Sequence, residues 1–150
     1  MAKQGIATDK ARCWKEFSQM IRVLHCLETT GIPFVGVCVT CGKRFHIWAL
    51  QAGHCFAGRQ NGVLFMRKFV KGQCVICNER HHGLPKVFRA YVDNLYGVDF
   101  VERQIPRMKR NYHDRTIDFD GRAKRYKRIT DIALRKHGYK TYREMCHANK

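Results

Sequence analysis

Apolar side chains recur every three or four positions over residues 9–30, which is the spacing of one face of an amphipathic helix. The stripe consists of Ala11, Trp14, Phe17, Met20, Ile21, Leu24 and Leu27. Thr8 or Asp9 would cap this helix, and Gly31 with Pro33 would end it. The pattern therefore predicts an N-terminal segment, residues 1–33, whose helix packs on the remainder of the chain.

The next part of the chain has the composition of short strands. Two runs rich in β-branched and aromatic residues, 34–39 and 45–50, each predict a strand. Residues 53–72 carry four glycines and mixed polarity, so we expect a loop there with one strand near residues 63–65.

Helical periodicity returns in the second half of the chain. We expect helices at residues 78–82 (a single turn), 85–95, 100–112 and 120–137. Pro85 suits a first helical position, Gly97 is a natural stop, and Pro106 would bend or interrupt its helix. The sequence from Thr141 to Glu144 has the form of a capping box for a last short helix.

The charge of the chain suggests what kind of partner it binds. Its 29 Lys and Arg residues against 12 acidic residues give a formal net charge of +17. Such an excess repels itself, so a polyanion that neutralises it is the natural partner. The chain has neither a signal-peptide pattern nor a run of about 18 apolar residues that could span a bilayer. We therefore expect a soluble cytoplasmic protein without a membrane partner, in the host cytoplasm if a phage encodes it.

Four of the eight cysteines form two pairs that each enclose two residues. The pairs are Cys38 with Cys41 and Cys74 with Cys77. Thiolates at this spacing can bind one zinc ion, and two such turns complete a tetrahedral four-sulfur site. Gly42 and Asn78 follow the pairs, and both residue types tolerate the left-handed backbone that a zinc knuckle requires. A redox Cys-x-x-Cys motif would leave one pair without a role, so we favour one structural zinc ion per chain.

The other four cysteines are scattered at positions 13, 26, 55 and 146. Without a signal peptide a disulfide framework is disfavoured, because cytosolic thiols are kept reduced. We expect these cysteines to be small buried apolar residues.

A second chemical signal lies between and just after the cysteine pairs. His54 follows a strand-like run, and Asn78 opens a helical turn directly after Cys77. A nuclease needs an imidazole to deprotonate water and a hard cation to offset charge at the phosphate. A zinc site formed by the two pairs would hold these distant residues at one phosphate. His81 and His82 lie on the same face as Asn78, where either could bind a metal or a phosphate.

In this order and spacing, the motifs Cys38-x-x-Cys41-Gly42, Gln51-Ala52-Gly53-His54 and Cys74-x-x-Cys77-Asn78 resemble the phage recombination endonuclease family Rap/NinG. The similarity covers residues 34–105, about half the chain, and extends more distantly to endonuclease VII. The resemblance implies a zinc-stapled ββα-metal core of the HNH, or His-metal finger, class. It also implies branched substrates, such as D-loops and Holliday junctions.

The family's functional residues carry over position by position. The resemblance implies that the four paired cysteines bind zinc, that His54 is the general base, and that Asn78 binds a catalytic Mg²⁺ or Mn²⁺ ion. Gly53 stands where many HNH enzymes have a metal-binding acid or histidine, so the second ligand stays open among His54, His82 and Glu79. The middle Asn of the HNH name has no clear equivalent; Phe69 falls near its place, and Asn61 is the other candidate.

Each of these residues also has a plainer interpretation. His54 could be a structural residue or a zinc ligand. Asn78 could serve only the turn after the knuckle, as Gly42 does. For His81 and His82, we favour a solvated or phosphate-contacting role over direct binding of a metal.

The C-terminal region, residues 106–150, reads as a basic helical extension. Five of the seven residues from 122 to 128 are Lys or Arg, and Tyr126 between them could stack on bases. We expect DNA contacts at Arg122, Lys124, Arg125, Lys127 and Arg128, with Arg59 and Lys68 in the core. Binding should weaken steeply with salt.

Together these patterns predict an α+β fold with an N-terminal helix (1–33), a nuclease core (34–105) and a basic extension (106–150). The predicted function is metal-dependent, structure-selective cleavage of branched DNA. The alternative is a non-catalytic zinc module that binds nucleic acid during recombination. A homodimer and recruitment by a phage or host recombinase stay open.

Overall fold

The computed structural model describes residues 2–58, 60–110 and 112–149, and its elements define an α+β architecture. The helices are α1 (Ala2–Thr30), α2 (Asn61–Leu64), α3 (Pro85–Tyr96), α4 (Val98–Met108), α5 (Phe119–Arg135) and α6 (Tyr142–Ala148). The strands are β1 (Val35–Val37), β2 (Arg44–His46), β3 (Leu50–His54) and β4 (Val70–Cys74). They form two separate antiparallel pairs, β1 with β2 and β3 with β4. The predicted α+β class is confirmed at this level.

Helix α1 ends where the apolar stripe predicts, at Thr30, because Gly31 follows with a positive φ of 74°. Its start is different. The helix begins at Ala2 rather than near Asp9, so the predicted cap at residues 8–9 is wrong. Ile6 explains the difference, since it packs against the buried cluster around Phe119 and gives the first turns of the helix an apolar contact.

The expected strand at residues 45–50 is wrong as a single element. Strand β2 ends at His46, a 3₁₀ turn covers Ile47–Ala49, and β3 begins at Leu50. Ile47 is fully buried, and its amide donates to the Phe34 carbonyl at 2.9 Å. This turn therefore passes the chain from the first sheet to the second while it places Ile47 in the core.

The second strand pair and the segment before β4 differ from the sequence prediction. The strand expected at residues 63–65 is wrong, because Asn61–Leu64 forms the short helix α2. Strand β4 was not predicted at all, since Lys71 and Gln73 interrupt its apolar character. Both are buried with partners: the Lys71 ammonium lies 2.8 Å from the Glu28 carboxylate, and the Gln73 amide donates to the Gly83 carbonyl at 2.7 Å.

The C-terminal helices follow the predicted order. Helices α3 and α5 lie within about two residues of their predicted ends. Helix α4 contains Pro106 and ends two residues after it, at Met108, so the predicted end at residue 112 is wrong. At the start of α6 the Thr141 hydroxyl accepts from the Glu144 amide at 3.1 Å, so the predicted cap is confirmed. The Glu144 carboxylate accepts in return from the amide of Lys140 at 2.7 Å.

Helix α1 is the element that positions the site, because it packs on both α5 and the second strand pair. One cluster joins Phe17 and Met20 of α1 with Ala52 of β3 and Val70 of β4, with Tyr126 of α5 against it. Another cluster contains buried residues from α1, from both cysteine pairs (the two knuckles, residues 38–42 and 74–78), from α5 and from α6. Within the described ranges no helix is long and apolar enough to cross a bilayer.

The scattered cysteines behave largely as small apolar residues. Cys13, Cys26 and Cys55 are buried, whereas Cys146 is partly exposed. Burial raises the pKa of Cys26 to about 12 and the pKa of Cys55 to about 11. These thiols therefore stay protonated at neutral pH, as inert core groups do.

Candidate metal centre and adjoining cleft

The four paired cysteines converge on one point. The Sγ atoms of Cys38, Cys41, Cys74 and Cys77 all lie within 4.8 Å of one another. A tetrahedral zinc ion with Zn–S bonds of about 2.3 Å needs sulfurs about 3.8 Å apart, so only small adjustments would close this shell. Three of the four cysteines are buried and Cys41 is exposed. The cluster can therefore hold a metal ion, and an all-thiolate donor set is typical of structural zinc.

The first knuckle has the expected backbone. The Cys38 amide donates to the Lys43 carbonyl at 2.8 Å, and Gly42, with a φ of 69°, donates to the Cys38 carbonyl at 3.0 Å. The Cys38 sulfur also accepts from the Cys74 amide, at 3.3 Å. The two knuckles are thus joined by a hydrogen bond to sulfur as well as by their shared position.

The thiols of the cluster differ in acidity. Burial alone would raise the pKa of Cys38, but hydrogen bonds from the amides of Cys41 and Cys74 and from Thr40 lower it to about 6. Burial and the neighbouring thiols raise the pKa of Cys74 to about 12. Four thiolates together would repel one another, so the cluster needs a cation to hold all of them deprotonated.

The second knuckle departs from the prediction for Asn78. Cys77 and Asn78 lie inside a π-helical turn, Ile76–Arg80, and Asn78 does not have the expected left-handed backbone. Positive φ angles occur instead at His82 (51°), Gly83 (79°) and Leu84 (47°), where the chain reverses into α3. Asn78 therefore does not play the turn role that Gly42 plays.

Hydrogen bonds tie this turn to β3. The Asn78 side-chain amide donates to the Gln51 side-chain oxygen at 2.6 Å, and the Gln51 amide donates to the Glu79 carboxylate at 2.5 Å. In the β3–β4 register Leu50 lies opposite Cys74 and His54 lies opposite Val70. Gln51 thus connects the cysteine end of the strand pair to the turn that carries Asn78.

His54, the last residue of β3, turns towards α1. Its ring stacks on Trp14, with centroids 5.5 Å apart and planes 18° apart. Its Nε2 atom lies 3.2 Å from the Leu64 carbonyl oxygen. Because a carbonyl only accepts, this hydrogen bond requires the proton on Nε2 and makes Nδ1 the basic nitrogen.

One open cleft of about 1080 Å³ runs between α1, β3 and the π-helical turn. It is lined by the predicted residues His54, Asn78, Glu79 and His82, and also by Lys10, Trp14, Arg22 and Trp48. The predicted base and the predicted amide ligand therefore face the same space. The carboxylate and imidazole groups of the cleft do not cluster as metal ligands. In the described parts of the chain, only the four cysteines form a group of three or more His, Cys, Asp or Glu side chains that could hold a metal ion.

The glycine before His54 has a packing reason. A Cβ atom on Gly53 would lie 2.3 Å from the side-chain oxygen of Gln73, so no larger residue fits without moving that amide. Gln73 is fully buried, and its nitrogen contacts both the Thr40 hydroxyl and the Gly83 carbonyl. An acidic metal ligand at position 53 is therefore incompatible with this link between the two knuckles.

The basic residues predicted to bind DNA lie outside the cleft. Arg122, Lys124, Arg125, Lys127 and Arg128 are exposed on α5 and do not line it. Lys124 and Lys127 pair with Asp120 and Asp131 at 2.6 and 2.5 Å. Lys68 is exposed, and its ammonium lies 4.3 Å from the Phe100 ring centroid, also away from the cleft. Arg59 falls outside the described residues.

Tyr126, which the sequence offers as a stacking residue, packs between helices. Its ring packs edge-on against Phe17, with centroids 5.1 Å apart, and lies nearly parallel to Phe65 at 6.4 Å. It therefore contributes to the contact between α1 and α5 and is only partly exposed.

Sequence reasoning missed the α1 wall of the cleft. Four residues at intervals of four along α1 line the cleft: Lys10, Trp14, Ser18 and Arg22. The four-residue spacing is present in the sequence, but the apolar stripe alone accounts for Trp14 and gives no sign of a cleft wall. Lys10 also lies 2.9 Å from Asp114, a further residue of the cleft wall.

Searches of protein-family models, of functionally characterised proteins and of solved structures found no significant match to this chain.

Proposed function

We propose that the protein is a divalent-metal-dependent DNA endonuclease of the His-metal finger class that cleaves branched recombination intermediates, such as D-loops and Holliday junctions. In this proposal β3, β4 and the turn after them are the ββα-metal unit. A zinc ion bound by the four cysteines holds it together. The resemblance of the ordered motifs to the Rap/NinG family supports this assignment.

One observation carries the proposal: His54 and Asn78, which are 24 positions apart in the chain, line the same cleft. The four-cysteine cluster and the bonds of Gln51 hold together the elements from which these two residues project. A zinc module that only binds nucleic acid has no need of this pairing.

In the proposed reaction, His54 Nδ1 accepts the proton of a water molecule that attacks the phosphorus atom. The bridging P–O bond on the opposite side of the phosphorus breaks, and the leaving alkoxide oxygen takes a proton from solvent. The hydrogen bond to the Leu64 carbonyl keeps the ring in the required tautomer, and the stack on Trp14 restrains its orientation. Because Asn78 gives its amide hydrogen to Gln51, its side-chain oxygen is the atom available to a cation. Mg²⁺ or Mn²⁺ at this oxygen would offset negative charge on the scissile phosphate.

DNA as the substrate is supported by charge. The net charge of +17 calls for a polyanion. The cleft itself carries Arg22 and Lys10, but Lys10 pairs with Asp114 and Glu79 also lines the cleft, so most of the unpaired positive charge lies outside it. The exposed basic residues of α5 would add backbone contacts that position DNA without reading its bases. A homodimer would suit paired cuts in a four-way junction, and a recombinase could deliver the protein to D-loops.

A direct test is cleavage of end-labelled DNA by the zinc-loaded protein. We expect cuts in a four-way junction and in a D-loop with Mg²⁺ or Mn²⁺, slower cutting of linear duplex of equal length, and no cutting without a divalent ion. Calcium is the control, because it supports DNA binding in many nucleases with little hydrolysis.

The second candidate is a non-catalytic zinc module that binds nucleic acid during recombination. The observation in its favour is that His54, Glu79 and His82 do not converge as cation ligands. Tight binding of all these DNAs without cleavage under any metal condition would establish this alternative and refute hydrolysis.

A further inference from the structure

Trp48 is a large aromatic residue with no role in the zinc site or in the proposed hydrolysis. It lies in the 3₁₀ turn between β2 and β3, where its neighbour Ile47 is fully buried. The side chain of Trp48 is 46% exposed, and it lines the cleft that contains His54. A single exposed aromatic residue is ordinary on a protein surface, so its position and orientation carry the inference, not its exposure.

One side of the Trp48 indole packs on a neighbouring ring. Its backbone amide donates to His46 Nδ1 at 3.4 Å, and the two rings lie with centroids 4.4 Å apart. The His46 ring in turn contacts Phe34, at a centroid distance of 5.9 Å. These contacts restrict the rotation of the indole, which lowers the entropy that stacking would cost.

Trp48 shares the cleft with residues of both charges. Arg22 lies on α1, the helix that contacts the turn of Trp48, whereas Lys10 is paired with Asp114 and Glu79 also lines the cleft. The chain as a whole carries +17, so a polyanion is the favoured ligand. An exposed aromatic ring in a basic protein is the chemistry that binds single-stranded nucleic acid: cations contact phosphates and the ring stacks on a base. Bases inside a duplex are already stacked on one another, so only an unpaired base can take this position.

We propose that Trp48 stacks on an unpaired nucleotide base and thereby directs the cleft to DNA with unpaired nucleotides, such as the branch point of a flap or D-loop. The inference deepens the proposed function and rests on it for the identity of the substrate. It gives a physical reason for structure selectivity, since paired duplex offers phosphates to the cleft but no free base to the indole.

The test is binding by the zinc-loaded chain of 150 residues in buffer without magnesium, so that no DNA is cut. The probes are a flapped duplex, with a fluorescent adenine analogue as the first unpaired nucleotide, and a fully paired duplex of equal length. We expect Trp48→Ala to weaken binding of the flapped DNA by about tenfold and binding of the duplex by less than about twofold. Stacking should also quench the analogue with wild-type protein and not with Trp48→Ala.

Two further variants keep the test specific. Trp48→Phe retains an aromatic face and should recover most of the affinity for flapped DNA. Leu95→Ala removes an equally exposed apolar side chain, 49% exposed on α3 and outside the cleft, and should change neither affinity. Equal effects of Trp48→Ala and Leu95→Ala, or an equal loss on both DNAs, would overturn the inference.

The outcome separates this inference from the proposed hydrolysis. A Trp48-dependent preference for flapped DNA in a protein that cuts no DNA with Mg²⁺ would support the stacking site and refute the nuclease. Magnesium-dependent cutting without any dependence on Trp48 would refute the stacking site and leave the nuclease standing.

Discussion

Replacement of His54 by alanine should lower the rate of cleavage of branched DNA by about a thousandfold, within the range that a general base contributes. Binding should change little, because the cations of the cleft and of α5 remain. The physical reason is the loss of the Nδ1 acceptor, which the hydrogen bond between Nε2 and Leu64 orients. Single-turnover cleavage of a labelled junction, together with its dissociation constant, measures both effects.

Two controls guard this test against a merely structural loss. The ring of His54 packs on Trp14, so the alanine variant also removes a contact. His54→Gln keeps a side-chain donor that can bond the Leu64 carbonyl but supplies no base at neutral pH, and it should be as inactive as His54→Ala. His137→Ala removes an exposed histidine beyond α5 and should cut like wild type. Unimpaired cutting by either His54 variant would remove His54 from the mechanism.

Replacement of Cys38 by serine should abolish zinc binding and with it the folded state. A four-thiolate zinc site supplies on the order of 10 kcal/mol, which is comparable with the entire stability of an ordinary domain. We choose Cys38 because its sulfur also accepts a hydrogen bond from the backbone amide of Cys74, in the other pair. Metal analysis should find about one zinc ion per wild-type chain and none in the variant, and its cooperative thermal unfolding should disappear.

Cys146→Ser provides the matched control for the zinc prediction. Cys146 is a free, partly exposed cysteine outside the cluster, so its replacement should leave the zinc content at about one and the unfolding transition in place. A wild-type protein that is folded without metal, or a Cys38→Ser variant that keeps both its zinc and its transition, would refute the structural zinc site.

The elements predicted well from the sequence are those whose signals are local. The stripe along α1, its stop at Gly31, the start of α3 at Pro85 and the cap at Thr141 each depend on neighbouring residues. The four-cysteine cluster is also predictable, because two Cys-x-x-Cys pairs in one chain are the usual pattern of a four-sulfur metal site.

Strand β4 could not be predicted, because the partners that make it a strand are distant. Lys71 is buried only because Glu28 of α1 reaches it, and Gln73 because Thr40 and Gly83 accept its amide. From the sequence alone a lysine and a glutamine in a five-residue run indicate a surface loop.

The cleft could not be predicted from the sequence either, because it depends on how distant elements pack together. Periodicity places Trp14 on the apolar face of α1, but only the packing of α1 on β3 brings it against His54. The link from Asn78 to Gln51 depends on the π-helical turn Ile76–Arg80, which begins two residues before the single helical turn predicted at residues 78–82. The motif order singles out His54 and Asn78 as candidates, whereas the structure gives the contacts that these residues make.

The most direct test of the central claim is the position of manganese in crystals of the zinc-loaded protein, located by anomalous diffraction. The claim is that four sulfurs bind one ion while His54 and Asn78 serve a second ion and a phosphate in the adjoining cleft. It predicts zinc at the centre of the four Sγ atoms and manganese in contact with the Asn78 side-chain oxygen, with a bound water within hydrogen-bond reach of His54 Nδ1. Manganese bound only outside the cleft, or His54 and Asn78 facing separate surfaces, would contradict it.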